Sequence, residues 1–76
     1  MFEQKNITKK VLGYNIRQAR KSTGMNQGDL GVCLGLSEKS ISAWETGRAV
    51  PSALQLSDVA RLTRKHIQYF YTIQEP

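Results

Sequence analysis

The sequence predicts an all-α domain, a compact bundle of four to five short helices. Three observations lead there. Apolar residues recur at a helical period early in the chain. Further on, one helix-start pattern occurs three times: an apolar residue, a capping residue, then a second apolar residue four positions after the cap. No segment alternates apolar and polar residues as a half-buried strand would. A length of 76 residues suits one small domain, whose core suffices without metal or disulfide only if its helices pack well.

The first six residues, Met1 to Asn6, read as a flexible polar start, and residues 7–73 as the domain. Leu12, Ile16, Ala19 and Thr23 fall at i, i+4, i+7 and i+11, one stripe of a helix over 7–23. Gly24 is placed to end it in a left-handed conformation, with Lys21 in the last turn where it suits the helix dipole. Met25-Asn26-Gln27-Gly28-Asp29-Leu30 then starts a helix over 27–34 with Asn26 as cap. Leu36-Ser37-Glu38-Lys39-Ser40-Ile41 starts another over 38–45 with Ser37 as cap. Pro51-Ser52-Ala53-Leu54-Gln55-Leu56 starts a fourth over 52–62, with Gln55 completing a capping box on Ser52. A last short helix over 65–71 has a poorly marked start.

Between the second and third helices only Leu34-Gly35-Leu36-Ser37 turns the chain. A tight glycine turn between two short helices is the signature of a helix-turn-helix, here at about 27–45. An isolated helix of fewer than roughly 12 residues is marginal in water, so the third must be held by packing. Leu30, Leu34, Leu36, Ile41 and Trp44 converge on one apolar wedge, each burial worth about 1.5–3 kcal/mol. Ile67 and Phe70 are expected to close the core. Tyr69, Tyr71 and Ile73 exceed what the core needs and read as a loosely packed end or a dimer surface.

The formal net charge is +5. Lys5, Lys9, Lys10, Arg17, Arg20 and Lys21 follow one another with no acid between Lys5 and Lys21, which favours a polyanionic partner. One cysteine, Cys33, excludes an internal disulfide and points to a reducing, cytoplasmic setting. Cys33 reads as a small apolar filler and His66 as a surface or capping residue, since neither has metal-ligand or nucleophile-base partners. No apolar run approaches the roughly 18 residues of a membrane span, and no signal peptide opens the chain. No enzyme activity, cofactor, metal, membrane or small-molecule ligand is therefore expected.

Arg17, Arg20, Gly24, Gln27, Leu30, the turn Leu34 to Ser37, Ile41-Ser42, Trp44-Glu45, Gly47-Arg48 and Pro51-Ser52 together carry a spaced pattern. Over about residues 11–71 the chain resembles the Cro/C1-type (XRE-like) helix-turn-helix DNA-binding domain of phage and bacterial transcriptional regulators. The resemblance implies a lambda-repressor-like fold with the third helix in the DNA major groove. By position, Glu38, Lys39, Ser40 and Ala43 would read bases: Lys39 at guanine, Glu38 at cytosine N4, Ser40 at either partner, Ala43 at a thymine methyl. Glu38 also fits as an acid at a helix N-terminus. Gln27 at the start of the second helix, Thr46 and Arg48 after the third, and more weakly Arg17 and Lys10, would contact phosphate. Arg20 and Glu45 are implied to form a structural ion pair, with Arg20 on phosphate as the alternative.

The same resemblance implies a homodimer on a pseudo-palindromic operator with half-sites about 34 Å apart. Its activity would be sequence-specific double-stranded DNA binding, as a repressor. No further oligomerisation or ligand-sensing domain is expected. The alternative is a protein-interaction module of the same fold, antitoxin-like or accessory, that does not read DNA. Gly31 departs from the pattern, since relatives usually carry alanine there. Gly28 and Gly31 are each expected to weaken the second helix by about 1 kcal/mol.

Overall fold

A short polar side chain starts four of the five helices. In the computed structural model, which describes residues 7–74, the order is α1 (Lys9–Ser22), α2 (Gln27–Leu34), α3 (Glu38–Glu45), α4 (Ala53–Thr63) and α5 (Ile67–Phe70). Thr8 Oγ1 accepts from the Val11 N–H at 3.1 Å, Asn26 from Asp29 at 2.7 Å, Ser37 from Ser40 at 3.2 Å and Ser52 from Gln55 at 3.1 Å. Asp29 and Gln55 return the bond to the Asn26 and Ser52 N–H groups, at 3.0 and 2.8 Å, completing two capping boxes. The Asp29 box was not among the expectations. The described residues contain no strand, and no described helix is long and apolar enough to cross a membrane. The expected flexible start at residues 1–6 lies outside the described residues.

The core takes residues from every helix: Leu12, Ile16 and Ala19, then Leu30, Ile41 and Trp44, then Leu56, Val59, Ala60 and Phe70. Ile7, Met25, Leu34 and Leu36 pack against it partly buried. Thr8, Asn26 and Ser37 thus each follow an apolar residue that packs on the core, and Leu56 reaches it four residues after Ser52, which fixes the angle of the helix that follows.

Several expectations are corrected. Helix α1 starts at Lys9 because Thr8 caps it, and α4 starts after Ser52 for the same reason. Helix α5 spans only Ile67–Phe70, so the start expected at 65 is too early. Thr23 is exposed, its hydroxyl donating to the Arg20 carbonyl at 2.7 Å beyond the end of α1. Cys33 faces solvent on α2 and fills nothing. Ile67 is exposed at the start of α5; Phe70 closes the core there, and Tyr69, expected to exceed what the core needs, packs against it half-buried.

Two close approaches fix α3. Gly35 takes φ 70° at the end of α2, and the Leu36 N–H closes back on the Gly31 carbonyl at 2.8 Å. A Cβ on Gly31 would stand 2.7 Å from the Leu36 carbonyl oxygen. The expected propensity cost of Gly31 is therefore outweighed, because the turn leaves no room for alanine. On α1, a Cβ on Gly13 would collide with the Trp44 carbonyl and stand 2.8 Å from that of Glu45. The end of α3 rests on the bare backbone of α1.

A buried polar network completes the attachment. Arg20 grips Glu45 with two parallel bonds, Nε to Oε2 at 2.7 Å and Nη2 to Oε1 at 3.0 Å. Its third nitrogen, Nη1, donates to the Met25 carbonyl at 2.8 Å. Gln27 Nε2 donates to Glu45 Oε1 at 3.0 Å. The hydrogen bond to Glu45 raises the Arg20 pKa above its ordinary value, against the opposing effect of burial. A cation raised in this way contributes below its ordinary value and loses the contribution only in stronger alkali, so no working pH neutralises it.

Four outcomes are expected in urea unfolding. Gly13→Ala loses about 2 kcal/mol or more, because the obstruction is backbone. Gly28→Ala gains up to about 1 kcal/mol, because its Cβ would meet only side-chain ends, the Glu38 carboxylate at 3.3 Å and Asn26 Oδ1 at 3.4 Å. Glu45→Ala, which strands a buried guanidinium, is expected to cost about 3–5 kcal/mol. Lys39→Ala, at an exposed position, should stay within about 0.5 kcal/mol of the parent.

Candidate nucleic-acid interface

Helix α3 is held from behind. Ile41 is fully buried, Trp44 is 5 % exposed, and Glu45 is taken up by Arg20 and Gln27. At 3.6 residues per turn, the side opposite these three carries Lys39, Ser42, Ala43 and Thr46. Lys39 and Thr46 are exposed, while Ser42 and Ala43 are half-buried.

The four residues expected to read bases do not share one position. Lys39 and Ala43 lie together on the outward side. Glu38 is exposed at its edge, with its carboxylate over the first turn of α2 beside Gly28. Ser40 is half-buried, its hydroxyl 3.2 Å from that of the capping Ser37. Ser42 was not among the expected readers, yet it lies on the outward side three residues after Lys39. Helical spacing from the buried Ile41 and Trp44 was enough to find it.

The expected phosphate residues fall into two places. Thr46, Arg48 and Lys10 gather at the C-terminal end of α3. The Thr46 hydroxyl donates to the Ser42 carbonyl at 2.9 Å and accepts from Arg48 Nε at 3.0 Å, so a short polar chain steadies Arg48. Gly47 lets α1 come close: its Cβ would stand 3.3 Å from Lys10 Cα. From there Lys10, Tyr14, Arg17 and Lys21 recur at i, i+4, i+7 and i+11, all exposed, and form one ridge of α1. Lys21, already part of the acid-free basic stretch, joins Arg17 on this ridge. Lys10, Arg17, Lys21, Lys39 and Arg48 form no ion pair with another described residue.

Gln27 is half-buried at the other end of the contact, bracing Glu45. Arg20 is 7 % exposed and fully engaged, which favours the structural ion pair over a phosphate contact. Toward the C-terminus, Tyr71 and Ile73 are exposed. Tyr69 is half-buried, edge-on to Phe70 with ring centroids 5.4 Å apart and beneath Lys65 Nζ at 4.9 Å. Burial, with a smaller effect from Tyr14, pushes the Tyr69 phenol up from its ordinary value. His66 is exposed and makes no side-chain cap bond.

Comparison with known proteins places this geometry. Residues 16–70 match the family described as Helix-turn-helix. An uncharacterized HTH-type transcriptional regulator of Methanothermobacter thermautotrophicus is 36 % identical over 61 residues, covering 79 % of this chain and 88 % of its own length. The P22 c2 repressor protein, solved in complex with a synthetic operator, is similar at TM-score 0.74 and 27 % identity, over 83 % of this chain and 96 % of that one. The hydroxypropylphosphonic acid epoxidase from S. wedmorenis has TM-score 0.78 at 19 % identity, over 87 % of this chain. Only 35 % of the epoxidase is covered, so the likeness is one of fold. With a family match across most of its length and a regulator sharing more than a third of the aligned residues, the chain belongs to the Cro/C1-type helix-turn-helix family.

Proposed function

We propose that the chain is a sequence-specific double-stranded DNA-binding regulator, acting as a repressor by occupying its site. The observation that carries this reading is the outward side of α3. The helix is fixed at its back by Ile41, Trp44 and Glu45, and its front turns the Lys39, Ser42 and Ala43 side chains away from the rest of the protein. An α-helix fits the major groove, where each base pair shows its own pattern of donors and acceptors. Lys39 donates to guanine O6 and N7, and the Ala43 methyl meets a thymine methyl. Ser42 hydrogen-bonds a base edge between them. Glu38 accepts from cytosine N4 where it swings off α2, and Ser40 contributes where its hydroxyl leaves Ser37.

Phosphate contacts set the register of this helix but carry no sequence information. Arg48, Thr46 and Lys10 hold the strand at the C-terminal end of α3, and Arg17 and Lys21 extend the same positive ridge. Gln27 meets phosphate from the first turn of α2, where N–H groups point outward. Residues 7–73 form the DNA-binding domain, with its work in the cytoplasm at the nucleoid. Two copies bind a pseudo-palindrome with half-sites about 34 Å apart. The relative solved with an operator, the P22 c2 repressor, supports this reading.

Selection of bound duplexes from a random pool tests it. A palindromic consensus is expected, and enrichment of no sequence would reject the proposal. In Lys39→Ala, preference at one base pair per half-site should relax, with about 1–3 kcal/mol of discrimination lost there. Arg48→Ala should leave the consensus intact and weaken binding to every sequence alike. The slope of log affinity against log salt should then fall in magnitude by about one, as read by fluorescence anisotropy.

A further inference from the structure

Asn15 serves none of the roles described so far. It lies on α1 and is fully buried. Its Nδ2 stands 2.9 Å from the Thr72 carbonyl, 3.0 Å from that of Phe70 and 3.3 Å from that of Tyr69. A carboxamide has two N–H groups, so three carbonyls share two donors. Turning the amide over would set an oxygen against three oxygens, which fixes its orientation. Oδ1 is left buried without a protein partner, a cost accepted for the sake of the three carbonyls.

Those carbonyls close a segment with little else to hold it. Helix α5 has four residues and no side-chain cap, so it has no stability of its own. It packs on α1 and α4 through one fully buried side chain, Phe70, with Tyr69 half-buried beside it. The chain's own Gln74 adds Nε2 bonds to the Tyr69 and Thr72 carbonyls at 3.0 and 3.1 Å. By contrast, α3 is tied to α1 and α2 by the Glu45 network and two glycine contacts.

We infer that residues 66–74 form a releasable strap and that Asn15 is its latch. The strap opens as a unit while α1, α2 and α3 stay together. Ile67, Tyr71 and Ile73, the apolar side chains exposed on it, leave the domain surface with it. Asn15 is thus a positioning residue: it sets where that apolar surface sits relative to α3, through the helix that also carries Arg20.

Amide hydrogen exchange on the whole chain tests this. In Asn15→Ser, exchange at Tyr71 and Thr72 should rise about tenfold, while Ile41 and Thr46 change by less than about twofold. An equal rise at both places would mean global loosening and would overturn the inference. The unaltered protein gives a second reading, should that variant fail to fold. Tyr71 and Thr72 should exchange faster than Ile41, through an opening less sensitive to low urea. Exchange of all three through one opening with one urea dependence would also overturn it.

Discussion

The carboxylate of Glu45 is the point on which this structure turns. It receives two N–H groups from Arg20 on α1 and one from Gln27 on α2, while its own helix is the one offered to solvent. An eight-residue helix cannot set its own orientation. Ile41 and Trp44 bury one side, but apolar contacts are not directional and tolerate a few degrees of roll. A two-pronged ion pair does not, because both bonds lengthen when the helix rotates. Burying the pair is costly, and its net effect on stability is small beside the cost of breaking it. What it supplies is the angle at which Lys39, Ser42 and Ala43 leave the surface.

Helix α1 acts as the beam for the rest. Its bare Gly13 backbone receives the end of α3, its Arg20 holds Glu45, and Lys10 lies against Gly47. The opposite flank buries Leu12, Ile16 and Ala19 and holds the C-terminal segment through Asn15. The solvent-facing ridge carries Lys10, Arg17 and Lys21. A single helix therefore positions the basic ridge, the recognition helix and the final short helix together. Such an arrangement fixes the basic ridge relative to α3 without any moving part.

Much of this was legible in the sequence, and the limits have physical causes. Capping chemistry is local, so Asn26, Ser37 and Ser52 marked their helices to within a residue. Ile7-Thr8-Lys9-Lys10-Val11-Leu12 carries the same pattern and was missed, since two lysines dilute its apolar signal. Gly13 could not be valued locally, because what excludes a Cβ there is the backbone of α3, and at Gly31 it is the Leu36 carbonyl, brought back only once the turn has closed. Asn15 was invisible for the same reason: its partners lie 54 to 57 residues away. Cys33 and Ile67 were placed by residue type alone, and their positions on α2 and α5 overrode type. The Arg20–Glu45 pair came from family resemblance, which supplies long-range contacts that spacing does not.

The most direct test is to follow backbone amide chemical shifts while a duplex carrying the selected sequence is titrated in. The account predicts the largest changes at Lys39, Ser42, Ala43 and Thr46, lesser ones at Lys10, Arg17 and Gln27, and almost none at Val32 and Cys33 on the outer face of α2. Changes centred on Val32, Cys33 or Tyr71, with the outward side of α3 unmoved, would contradict it.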